Sequence, residues 1–168
     1  MAGYLLDTSA LSAYLNQDHP HHASAVGAIN SLPSDAPKFV SAVTIGELQY
    51  GIRLAELAGS IHLTEYRARL TVIRKYALMP LTHHTADEYA NLKSRLASQV
   101  LRKARSKMPR WIEDWIEKGS GKKLQIDEND LWICAQAKER DLTVMTNDDD
   151  MRRLATLDGV LRVRLTRD

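Results

Sequence analysis

Four acidic residues stand at the ends of apolar runs in this chain of 168 residues. Asp7 follows Gly3-Tyr4-Leu5-Leu6, and Glu47 lies in Thr44-Ile45-Gly46-Glu47-Leu48. Asp130 lies in Asn129-Asp130-Leu131-Trp132-Ile133, and Asp148 follows Leu142-Thr143-Val144-Met145-Thr146-Asn147. Carboxylates beside hydrophobic segments are costly to place, because burial disfavours the charged form and neighbouring like charges add to that cost. A divalent cation removes both penalties, and carboxylate oxygens are the ligands that hard ions such as Mg2+ and Mn2+ prefer. The four positions together predict a metal site that does chemistry.

Each acid taken singly also has a plainer reading. Asp7 reads as a helix cap, Glu47 as a surface glutamate, and Asp148 as part of an acidic turn with Asp149 and Asp150. Asp130 is the strongest single case. On a helix it shares a buried stripe with Ile133, Cys134 and Ala137, although a cap at an uncertain helix start is the alternative.

The elements that must position these acids follow from apolar periodicity and punctuation. Short strands are expected at 3–6, 38–41, 78–81, 142–145 and 160–165. Helices are expected after Thr8-Ser9 as a cap, then over 21–32, 43–58, 64–76 and 127–139. Another opens at Thr85-Ala86-Asp87-Glu88, read as a capping box. Proline at position 80 confines its strand to an edge or a strand end. Strands alternating with helices predict an α/β fold with a central, mainly parallel five-stranded sheet. In such sheets strand C-termini converge on one edge, where ligands bind, and all four acids can meet there.

The stretch at about 99–123 differs. It holds Arg102, Lys103, Arg105, Lys107 and Arg110, then Trp111 and Trp115, and closes on Lys118-Gly119-Ser120-Gly121-Lys122-Lys123. It reads as a basic helical excursion returning through a Gly/Ser turn, and its five cations are the best place to look for a nucleic-acid contact. The plainer readings are a solvated basic face and a tryptophan packing pair.

Length and composition set the frame. With 44% hydrophobic and 26% charged residues, the chain suits a single domain over 1–168 and is short for two. A net charge of +2 permits a nucleic-acid partner without demonstrating one. The lone Cys134 cannot form an internal disulfide, which fits a reducing cytoplasm. No apolar stretch approaches the roughly 20 residues of a membrane span, and Asp7 interrupts the first apolar run too early for a secretory leader. His19-Pro20-His21-His22 lacks zinc-ligand spacing, His83-His84 reads as a loop pair, and no Gly-rich phosphate loop, nucleophile elbow or Cys-x-x-Cys is present.

Four stretches in register resemble the PIN-domain family, and most closely the VapC-type toxins of type II toxin–antitoxin pairs. They are Leu5-Leu6-Asp7-Thr8-Ser9-Ala10-Leu11, Thr44-Ile45-Gly46-Glu47-Leu48-Gln49-Tyr50-Gly51, Asn129-Asp130-Leu131-Trp132-Ile133-Cys134-Ala135-Gln136-Ala137, and Val144-Met145-Thr146-Asn147-Asp148. The resemblance implies a PIN-like three-layer fold, an acidic pocket for Mg2+ or Mn2+, and endoribonuclease activity. It also implies inhibition by a cognate antitoxin, and a homodimer. Asp7, Glu47, Asp130 and Asp148 match the family's acidic quartet, with Thr146 and Ser9 as supporting polar residues. Asp150 competes with Asp148 for the fourth place. Asp7 and Asp130 are assigned to direct ligation, Glu47 to ligation or to orienting the water, and Asp148 to a second, weaker ion. Asp127, one turn before Asp130, is assigned an outer role. The rivals are a PIN nuclease outside any toxin–antitoxin pair, acting in RNA processing or on DNA, and a non-catalytic RNA- or protein-binding domain.

Overall fold

The structure is a computed structural model and describes residues 3–101 and 109–167. Five strands form one parallel sheet: β1 (Tyr4–Leu6), β2 (Lys38–Ser41), β3 (Ala77–Met79), β4 (Thr143–Thr146) and β5 (Arg162–Leu165), in the spatial order β3-β2-β1-β4-β5. Seven helices complete the described residues: α1 (Thr8–Leu15), α2 (His22–Asn30), α3 (Ala42–Leu57), α4 (Leu63–Ile73), α5 (His83–Val100), α6 (Glu128–Glu139) and α7 (Asp149–Asp158).

The strands are short apolar runs because both sheet faces are covered. Alternation along each strand sends neighbours to opposite cores. Leu5 and Val144 join Leu92, Leu96, Leu131 and Leu154 on one face, while Leu6, Val40 and Met145 meet Leu11, Leu32 and Ile73 on the other. The result is the expected three-layer α/β arrangement, with a sheet that is parallel throughout.

Local differences from the sequence expectations have identifiable causes. Asp7, rather than Thr8 or Ser9, caps α1, since its carboxylate accepts from the Ala10 amide at 2.7 Å. The capping box of α5 is Thr82 with Thr85, which starts the helix at His83. Glu88 then falls in the second turn, 3.2 Å from Lys138. The proline falls just beyond edge strand β3, so it removes no ladder bond.

Two differences are larger. Asp148, Asp149 and Asp150, read as an acidic turn, instead cap and open α7, whose Met151 and Leu154 enter the core. The helix ends at Gly159 with φ +74, a left-handed cap that glycine adopts without strain. The excursion is also not helical in its described part beyond α5. It contains one 3-10 turn, Ile112–Asp114, and a short antiparallel bridge between Ile116 and Lys123. Ile112 and Trp115 in its described part, and Leu124 and Ile126 just after it, are buried, so this described stretch forms a further wall of the core.

Buried polar groups lock α6 to the sheet. Gln136 donates to the carbonyls of Met79 (2.9 Å) and Pro80 (3.1 Å) and accepts from Ser41 Oγ. On the outer side, the Asp158 carboxylate, itself fully buried, is 3.0 Å from both Lys138 and Arg95, which ties α5, α6 and α7 together. No described helix is long and apolar enough to cross a membrane.

Candidate active site

The chain leaves β1 toward β2 on one side and returns through β4 on the other, so β1 and β4 flank the point where the strand order reverses. Crevices open there at the carboxyl ends of the strands. Asp7 is the first residue past β1, and its amide still bonds to Met145 O of β4 at 3.1 Å. Its carboxylate turns into the crevice end. Thr146 Oγ1 donates to Asp7 Oδ2 at 2.8 Å, and Ser9 Oγ lies 3.0 and 3.1 Å from the two carboxylate oxygens. Ser9 Oγ also accepts from the Asn147 amide, and Thr146 Oγ1 from the Asp148 amide, both at 2.9 Å. These bonds fasten the end of β4 to the start of α1.

Asp7 is only 3% exposed. Burial raises its carboxyl from the ordinary 3.8 to about 6, although bonds from the Ala10 amide, Thr146 and Ser9 pull the other way; the charge of Asp148 adds to the rise. Desolvation wins over hydrogen bonding at this position.

Asp130 lies in the first turn of α6. Asp127 caps that helix by accepting from the Asp130 amide at 2.9 Å, and Asp130 in return accepts from the Asp127 amide at 3.3 Å. Its carboxyl is pushed up to about 8, first by burial, then by the charge of Asp127, and further by Asp148 and Asp7. Asp7, Asp130 and Asp148 therefore act on one another at one edge of the sheet. None of the leading influences on Asp7 or Asp130 is a positive charge.

Asp148 caps α7, accepting from the Asp150 amide at 2.9 Å. Its charge acts on both Asp7 and Asp130, whereas Asp150 is raised by burial and feels mainly its neighbours Asp148, Arg153 and Asp149. Among the leading influences on Asp7 and Asp130, Asp148 is present and Asp150 is not. Glu47 reaches the same edge from α3. Asn129 Nδ2 donates to its Oε1 at 2.9 Å, and Thr8 Oγ1 donates to its Oε2. Glu47 thus bridges the residue after Asp7 and the residue before Asp130.

Asn129 and Thr8 both hold Glu47, whereas the sequence singles out neither as a site residue, and Thr8 only as a helix cap. Their only local signal is adjacency to an acid, and what they hold comes from a distant helix. Arg110 is exposed beside the 3-10 turn, and Arg102, Lys103, Arg105 and Lys107 lie outside the described residues.

The donor set suits a hard divalent ion: carboxylate oxygens, buried at Asp7 and half-buried at Glu47, Asp130 and Asp148, with no positive charge among the leading influences on Asp7 or Asp130. Asn147 Oδ1, next to Asp148, is a further buried oxygen with no hydrogen-bond partner. Among the described residues no three His, Cys, Asp or Glu side chains are gathered tightly enough to cage an ion. Mg2+ fits such an arrangement, since it keeps several waters and is bound through one or two carboxylates.

The chain belongs to the PIN domain family, whose model matches residues 4–157. Its fold is similar to chains of VapBC toxin–antitoxin structures. VapBC2 of Rickettsia felis, bound to a DNA fragment from its promoter, matches with a TM-score of 0.64 and 17% identity over 96% of this chain and 97% of that one. VapBC-5 of Mycobacterium tuberculosis matches with a TM-score of 0.60 and 26% identity over 100% of both chains. VapC20 of the same organism, a toxin that cleaves the sarcin–ricin loop, matches with a TM-score of 0.54 and 15% identity over 90% and 94%. No curated protein matches the sequence.

Proposed function

We propose that the protein is a Mg2+- or Mn2+-dependent endoribonuclease and the toxin of a type II toxin–antitoxin pair. The observation that carries this reading is the repulsion among Asp7, Asp130 and Asp148 at the reversal point of the sheet, with no positive side chain among the leading influences on Asp7 or Asp130. The sarcin–ricin-loop activity in the name of VapC20 supports RNA as the substrate class.

Asp7 and Asp130 would hold the ion, and Asp148 would join them or hold a second one. A divalent ion there supplies charge against the scissile phosphate and lowers the pKa of an attacking water. Ser9 and Thr146 keep the Asp7 carboxylate in one orientation, which limits its reorganisation during reaction. Glu47, pinned by Thr8 and Asn129, orients the water or completes the ligand set. No histidine or serine nucleophile is needed.

An antitoxin segment has a matching surface. A groove of about 240 Å³ runs between α1, α3 and α4, lined by Leu11, Leu15, Leu48, Ile52 and Leu70, with Glu47 at its edge. An apolar peptide seated there would lie against the acidic site and block it.

The test is incubation of purified protein with total cellular RNA, with and without Mn2+, and mapping of new ends. New ends that require Mn2+ and vanish in Asp7→Asn support the proposal. RNA left intact with every divalent ion overturns it.

A further inference from the structure

The two tryptophans of the excursion have opposite fates. Trp115 is 3% exposed and spends its indole N–H on the Pro109 carbonyl at 2.9 Å, so it is a core residue. Trp111 is 52% exposed, with the Arg110 guanidinium over its ring at 4.9 Å. Among the described residues Arg110 has no carboxylate partner. The half-exposed indole and this guanidinium present an apolar π-face and a positive charge side by side.

The position of Trp111 is fixed. The amide of the next residue, Ile112, donates to Glu128 Oε1 at 3.1 Å, and Glu113 accepts from the Glu128 amide at 3.1 Å. Glu128 is itself held by Tyr89 and Lys93 from α5, and Tyr89 stacks on Trp132 with ring centroids 4.0 Å apart. Glu128 opens α6, two residues before Asp130. The backbone next to Trp111 is therefore clasped to the helix end that carries Asp127 and Asp130.

We propose that Trp111, with Arg110, is a nucleobase-stacking platform on the rim of the acidic site, engaging single-stranded RNA beside the scissile phosphate. The proposal rests on the nuclease reading and adds a substrate-positioning residue to it. A base has a π-face for the indole and its phosphate a charge for the guanidinium, which together match this pair. A protein partner is less suited, because the extended apolar stripe of Tyr50, Leu54, Leu57 and Ile61 lies elsewhere, on α3 and the turn after it.

The test is binding of a short fluorescein-labelled single-stranded RNA in EDTA, followed by anisotropy, for the full chain and for Trp111→Ala, Trp111→Phe and Arg110→Ala. Trp111→Ala weakens binding about tenfold at an unchanged melting temperature, and Trp111→Phe retains most of the affinity. A strand of abasic nucleotides binds the parent and Trp111→Ala alike. Equal RNA affinity of Trp111→Ala and the parent overturns the platform, as does loss of self-association or antitoxin binding at unchanged RNA affinity. If the parent binds RNA through Trp111 but never cuts it with Mn2+, the nuclease reading falls and the platform stands. If the parent cuts while Trp111→Ala binds and cuts equally, the platform alone falls.

Discussion

Asp7 and Asp130 carry the same burden: each is placed where its charge is unfavourable, and that placement is what makes it useful to a cation. Replacing either by asparagine keeps the shape and most hydrogen bonds while removing the charge. Asp7→Asn and Asp130→Asn are expected to lower RNA cleavage by at least on the order of a hundredfold, with far-UV circular dichroism unchanged. Asp150→Asn is expected to cut nearly as well as the parent, because its charge is not the one acting on Asp7 and Asp130. Cleavage assays on one RNA substrate compare these three variants with Asp148→Asn. A collapse in Asp150→Asn with an active Asp148→Asn would reverse the assignment of the fourth acid.

At the level of elements, the site depends on how firmly α6 and α7 are held to the sheet. Gln136 fastens α6 by bonding to two carbonyls and a serine from the β2 and β3 ends. Gln136→Leu orphans the Met79 carbonyl and the Ser41 hydroxyl at roughly 1–3 kcal/mol each, while the Pro80 carbonyl keeps its bond from Arg140, so the urea midpoint is expected to fall. Gly159 ends α7 at φ +74, with nothing within 4 Å of a Cβ placed there. Gly159→Ala therefore adds only backbone strain, about 1–2 kcal/mol, which the same urea titration reads. A loss much larger than that would point to a contact that the left-handed cap does not explain.

For the whole molecule, the raised carboxyls make the metal-free fold acid-preferring. Asp7 and Asp130 hold protons up to about 6 and about 8, against 3.8 ordinarily, so between these values the folded chain binds more protons than the unfolded one. The stability carried by the protonated forms is full below pH 3.8 and is lost as the pH rises through about 6 and then about 8. In EDTA the melting temperature is expected to be lower near pH 8 than near pH 5, with a shallower slope in Asp130→Asn. Added Mn2+ should stabilise the parent, and more so at the higher pH. An Asp130→Asn slope as steep as the parent's would contradict the burial of that carboxyl.

Much of this architecture is legible in residue order because its signals are local. Apolar runs of three or four residues mark strands covered on both faces, and the acids that end them are read from the same runs. The helix over 149–158 escaped because three consecutive acids at its start look like a turn, and only Met151 and Leu154 entering the core reveal it as an element. Trp111 and Trp115 are alike in sequence and separated only by which of them the surrounding helices enclose. The pairing of Thr146 with Asp7 spans 139 residues, and Asn129 meets Glu47 across 82. Local pattern therefore determined the layered α/β scaffold and supplied the acids, since strand and helix formation depend on neighbours along the chain. Which acids feel one another, and which side chains hold them, was decided by the reversal of strand order, because desolvation and charge depend on distance in space.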